Sequence, residues 1–86
     1  MHTVEMLEQA LALAGRLGYK IRQEWLGGSG GGACEIAGQK CFFVDLAVDS
    51  SDQLDQLVET LQGDPGIYAA ELSPELRSLL GVRKSA

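Results

Sequence analysis

The sequence predicts an α+β domain: a three-stranded antiparallel sheet with two helices packed on one face, in the order α-β-β-β-α, followed by a short C-terminal helix. Three observations predict it. Apolar residues recur at spacings of three and four through residues 3–17 and again through 54–61. Between those stretches the period falls to two, over residues 19–26, 33–37 and 41–48. Clusters of Gly, Asp and Ser punctuate the changes.

The first helix follows from Val4, Leu7, Leu11 and Ala14 on one stripe, with Glu5, Glu8, Gln9 and Arg16 off it. Thr3 is the expected N-cap, Glu5 suits the positive helix start, and Gly18 is the expected stop. In the first strand Tyr19, Ile21 and Trp25 point one way, toward a core against helix one, and Lys20, Arg22 and Glu24 the other. The second and third strands form a hairpin through Gly38-Gln39 or through Gly38 to Lys40.

The longer connection gathers Cys34, Ile36, Phe42, Val44 and Leu46 on one apolar face, so the hydrophobic pattern favours it, although Gly38 also suits the first position of a two-residue type II′ turn. It leaves Cys41, Phe43, Asp45 and Ala47 on the opposite face beside Ala33, Glu35 and Ala37, with Cys41 reactive and Cys34 protected. Ser50 and Gln53 resemble a capping box ahead of Leu54, Leu57, Val58 and Leu61. Gly63 to Gly66 is a turn, and Ile67 to Leu72 is a candidate fourth strand. Ser73 and Pro74 open the last helix, which runs to Leu80 and stops at Gly81. Residues 1–81 form one domain, and 82–86 are the expected flexible tail.

Bulk properties exclude several functions. A chain of 86 residues is near the size at which one core supplies only a few kcal/mol, which favours a partner subunit. Seven basic against twelve acidic residues leave a net charge of −5, which repels nucleic acid. The apolar run that begins at Cys41 ends by Val48, far short of the roughly 20 residues of a membrane span. The opening "MHTVEMLEQ" carries acids where a secretory signal carries bases, and the expected compartment is the cytoplasm.

Catalytic and metal signals are weak. The six residues between Cys34 and Cys41 match no zinc knuckle, and His2 is the single histidine, so no metal or cofactor is expected. No nucleophile–base pair is apparent, and Asp49, Asp52 and Asp55 have an ordinary role at a helix start or on its solvent face. Asp45, inside "CFFVDLAV", either faces water or is a buried functional carboxylate.

Glycine fills five of the six positions from 27 to 32. The stretch "GSGGGA" formally satisfies the dinucleotide fingerprint, but the residues after it read as strand where a pyrophosphate site needs a helix. A mobile connection between antiparallel strands is the favoured reading. The alternative is a small-anion or phosphate site in an enzyme-accessory domain, with Gly28, Gly30, Gly31 and Gly32 amides as a nest and Trp25 as a stacking wall. The leading function is a small non-enzymatic interaction module, a homodimer or an adaptor for a larger protein. Its interface centre is Cys41 and Phe43, rimmed by Glu35 and Asp45.

Overall fold

The computed structural model describes residues 3–28 and 31–82. It consists of α1 (Thr3–Arg16), β1 (Lys20–Glu24), β2 (Gly32–Ile36), β3 (Gln39–Asp45), α2 (Ser50–Gln62), a 3-10 turn (Pro65–Tyr68) and α3 (Pro74–Leu80). The α+β class and the element order are those the periodicities predict. Ser29 and Gly30, in the glycine stretch, and residues 83–86 of the expected tail lie outside the described residues. Val82 is no free end: its N–H donates to the Arg77 carbonyl at 3.0 Å as Gly81 turns left-handed, and its side chain packs on the core.

The sheet is mixed, which corrects the all-antiparallel expectation. Its strand order is β1-β3-β2, with β1 parallel and β2 antiparallel to β3. The chain does not turn back after β1; it passes across the end of β3 and enters on the far edge. This gives the most apolar strand, whose Cys41, Phe42, Val44 and Asp45 are all buried, a hydrogen-bonded neighbour on each side.

The hairpin register also differs from expectation. Ile36 pairs with Gln39 and Cys34 with Cys41 across a two-residue turn, Ala37-Gly38, with φ of 52° and 81°. Two successive left-handed residues form the type I′ geometry, whose twist matches that of the flanking strands. The register lies an odd number of residues from the one the apolar pattern favours, so the faces of β2 are exchanged: Cys34 and Ile36 share a face with Cys41, and Ala33 and Glu35 lie on the helix side. Pattern failed here because β2 is an edge strand with little contact with the core; Ile36 is 54% exposed, and burial exerts no pull on the register.

The helices occupy one side of the sheet. Phe42 and Val44 meet Leu13, Leu57, Leu61 and Ile67 in the core, and α3 closes it against α1 and α2 with Leu76 and Leu80. On α1 the buried positions are Leu7, Ala10, Leu13 and Ala14, while Val4 points outward. The helix ends as expected, with Gly18 at φ 98° and Tyr19 N–H on the Ala14 carbonyl at 3.0 Å. The N-cap of α2 is Asp49, one residue before Ser50; its carboxylate accepts from Asp52 N at 2.9 Å. Ser73 caps α3 as expected, accepting from Leu76 N at 3.1 Å.

Ile67–Tyr68 is not strand. Asp64 accepts from Gly66 N at 2.8 Å and Pro65 presets φ, so the chain enters a 3-10 turn that delivers Ile67 into the core.

Ala37 is the one non-glycine residue with positive φ among the described residues, a conformation costing about 1–2 kcal/mol. Ala37→Asn, which creates the Asn-Gly sequence this turn prefers, is expected to stabilise by about 1 kcal/mol and raise Tm by roughly 4–8 °C in calorimetry. An unchanged or lower Tm would count against the turn assignment.

Candidate functional site

Two regions carry the residues that sequence singled out. The first is the crossover after β1. Asp45, the last residue of β3, is 0% exposed. Its Oδ1 accepts from Leu26 N at 3.0 Å and Ala47 N at 2.9 Å, and its Oδ2 from Gly28 N at 2.7 Å. A buried carboxylate persists when its oxygens are filled by donors, and backbone amides are filling them. The Gln53 side chain, the predicted capping-box partner, instead donates to the carbonyls of Asp45 and Val48 at 3.0 and 3.1 Å. One carboxylate and one carboxamide thereby join the end of β1, the end of β3 and the start of α2.

Among the described glycines of the crossover, several are fixed in identity by backbone geometry. Gly27, Gly28 and Gly32 have φ of 71°, 82° and 134°, values an L side chain rarely adopts. At Gly31 space is tight: a β-carbon would displace the carboxamide end of Gln56 and come to 3.3 Å from the Phe43 carbonyl. Asp45 occupies the amides of Leu26 and Gly28, and the second of these belongs to the expected anion nest. Trp25 lies beyond β1 and is 75% exposed, so the expected packing against α1 is absent and the indole stands in solvent.

The second region is the sheet face away from the helices. By register, β3 places Cys41, Phe43 and Asp45 on it, β1 adds Lys20, Arg22 and Glu24, and β2 adds Gly32, Cys34 and Ile36. Among the described residues no helix packs there. Phe43 is half-buried at the centre, with Arg22 on one side and Gly32 on the other. Gly32 offers no side chain, so the ring is open toward β2.

Cys41 shares this face but is only 4% exposed, lying between Lys20 and Cys34, whereas Cys34 is exposed. The expected thiol accessibilities are thus reversed, because the register exchanged the faces of β2. Glu35 is on the helix side and Asp45 is buried, so the charged rim consists of Lys20, Arg22 and Glu24. The Arg22–Glu24 pair, at 3.2 Å, is about half exposed and contributes little stability. The register favoured by the apolar pattern left Cys34 and Ile36 off this face; the shorter connection through Gly38-Gln39, although its exact pairing differs from the one observed, puts them on it.

A third cluster carried no sequence signal. Asp64 Oδ2 accepts from the Tyr19 hydroxyl at 2.9 Å and from Lys40 Nζ at 3.0 Å, and the ammonium lies 4.4 Å from the centre of the Tyr19 ring. The Gly66 amide, then Lys40, hold the Asp64 carboxyl below its ordinary value; burial, then the Asp64 hydrogen bond and charge, push Tyr19 from 10.0 up to about 12. Near neutral pH the acid stays ionised and the phenol stays protonated, so the cluster ties the 3-10 turn to the sheet and does not exchange protons. Among the described residues no group of three or more His, Cys, Asp or Glu could hold a metal ion, and no helix is long and apolar enough to cross a membrane.

The chain matches no protein-family model, no curated protein and no solved structure. Function therefore rests on the geometry above.

Asp45→Asn keeps the shape of the anchor but turns an amide nitrogen toward backbone donors. The expected loss is about 2–3 kcal/mol in urea unfolding; a loss under about 0.5 kcal/mol, the size typical of an incidental surface change, would show that the carboxylate is not what holds the crossover.

The Asp64–Tyr19–Lys40 cluster predicts a pH dependence at both ends. Asp64, lowered in the fold, stabilises above the ordinary carboxylate range, and that contribution disappears as pH falls through its folded value. Tyr19, raised in the fold, stabilises fully below 10.0, and its contribution is lost as pH rises toward about 12. Tyr19→Phe should therefore flatten the fall of Tm across that alkaline window, and parallel curves for variant and wild type would refute this role.

Proposed function

We propose that this protein is a small, non-enzymatic interaction module that docks a protein surface on the bare face of its sheet, as a homo-oligomer or as an adaptor for a larger protein. The observation that carries the reading is a sheet covered by helices on one side only, with Phe43 half-buried at the centre of the other side and Cys34 and Ile36 exposed beside it. An aromatic anchor with small and aliphatic neighbours and a charged border is the make-up of a modest protein interface. The net charge of −5 favours a protein over nucleic acid. Two free cysteines suit a reducing compartment such as the cytoplasm. The rival reading, a small anion held beside Trp25, has the exposure of the indole in its favour and the Gly28 amide, which donates to Asp45, against it.

The test places a benzophenone amino acid at Arg22, on the β1 side of Phe43, and cross-links in cells that produce the protein. An adduct of defined mass is expected. Phe43→Glu should weaken the underlying association about thirtyfold or more, as loss of an anchor residue does. Its carboxylate points to water, so the helical circular dichroism signal should be kept. No adduct with the Phe43 protein, or an undiminished one with Phe43→Glu, would overturn the proposal.

A further inference from the structure

The two edges of the sheet are not equivalent. On β1 the outer-face residues are Lys20, Arg22 and Glu24. Two β1 edges paired antiparallel about their centre would set Arg22 against Arg22 of the second copy, a like-charge contact that disfavours pairing. On β2 the sequence is Gly32, Ala33, Cys34, Glu35 and Ile36, with a single charge. From Ala33 to Ile36 every residue is exposed. The strand lacks the lysines, proline or bulge with which a free edge is usually blocked.

Register decides which backbone groups on β2 are available. In a hairpin with a two-residue turn, the residues flanking the turn exchange both hydrogen bonds, and such pairs then alternate along the ladder. Ile36, Cys34 and Gly32 therefore turn their N–H and C=O groups toward β3, and Ala33 and Glu35 turn theirs outward.

We propose that β2 pairs with β2 of a second copy, antiparallel about a two-fold axis at Cys34, to give one continuous six-stranded sheet. In this register Ala33 of each copy exchanges both hydrogen bonds with Glu35 of the other, so the outward donors and acceptors are matched and neither Glu35 faces its twin. Gly32 of each copy lies opposite Ile36 of the other. Gly32 is the gap beside Phe43, and Ile36 is 54% exposed with nothing to cover it. Pairing brings the exposed isoleucine of one copy to the open side of the other's phenylalanine, filling a space that the chain leaves empty on its own. Cys34 meets Cys34 of the second copy as a non-hydrogen-bonded pair, with Cα atoms about 4.5 Å apart, within the range that a disulfide spans.

This proposal concerns the sheet edge and stands apart from docking on the bare face. Its test is sedimentation equilibrium of the whole chain in reducing buffer, combined with oxidation by diamide, an azo oxidant that accepts two electrons and two protons from two thiols as the S–S bond forms. Wild type is expected to sediment as a dimer and to become covalently linked by diamide. Cys41→Ser should retain the link and Cys34→Ser should lose it. Cys34→Lys sets two ammonium groups together at the axis and should give a monomer with an unchanged helical circular dichroism signal. Should that variant fail to fold, Ala33→Pro removes an outward-facing N–H while sparing the β2–β3 ladder, and should give the same monomer. A wild-type monomer, or a folded Cys34→Lys or Ala33→Pro that remains a dimer, overturns edge pairing. A protein monomeric here but still cross-linked at Arg22 in a manner sensitive to Phe43 would retain the docking face and lose only the edge.

Discussion

The carboxylate of Asp45 is the constraint on which the architecture depends. A carboxyl group with no exposed surface is tolerated only when partners fill its oxygens, and here backbone amides of Leu26, Gly28 and Ala47 donate to them. Meeting that requirement pulls the chain after β1 across the end of β3 instead of allowing it to fold back beside β1. The crossover in turn takes positive φ at Gly27, Gly28 and Gly32, so these glycines serve the passage of the backbone. Strand order, the parallel pairing of β1 with β3 and the edge position of β2 all follow.

Asp64 performs related work at the other end of the sheet in a different setting. It accepts from one backbone amide, one phenol and one ammonium, and joins the 3-10 turn to Tyr19 before β1 and to Lys40 on β3. Between them the two acids secure both ends of the central strand. Asp45 has its oxygens filled by amides, and Asp64 is held ionised, so neither is arranged as a general acid or base.

The helices complete the asymmetry. α1 and α2 cover one face of a narrow sheet, and α3 is spent closing the gap between them. The second face is left with an aromatic residue at its centre, and one edge is left with matched hydrogen-bonding groups.

Local chemistry was legible in the sequence because it depends on residues close in the chain. The existence of α1, the α2 stripe, the stop at Gly18, the Ser73-Pro74 start of α3 and the inward turn of Phe42 and Val44 could all be read from spacing. So could the α+β class. The α1 stripe was only half right, with Val4 outward and Ala10 and Leu13 buried. Which strand is central, the direction of β1, the register of β2 and the burial of Asp45 were decided only by tertiary structure. Each depends on partners distant in sequence: Asp45 finds its donors 17 and 19 residues away, and Asp64 finds Tyr19 across 45. The hydrophobic pattern could not have supplied them, since it reports only where burial is available, and β2 is a strand with almost none.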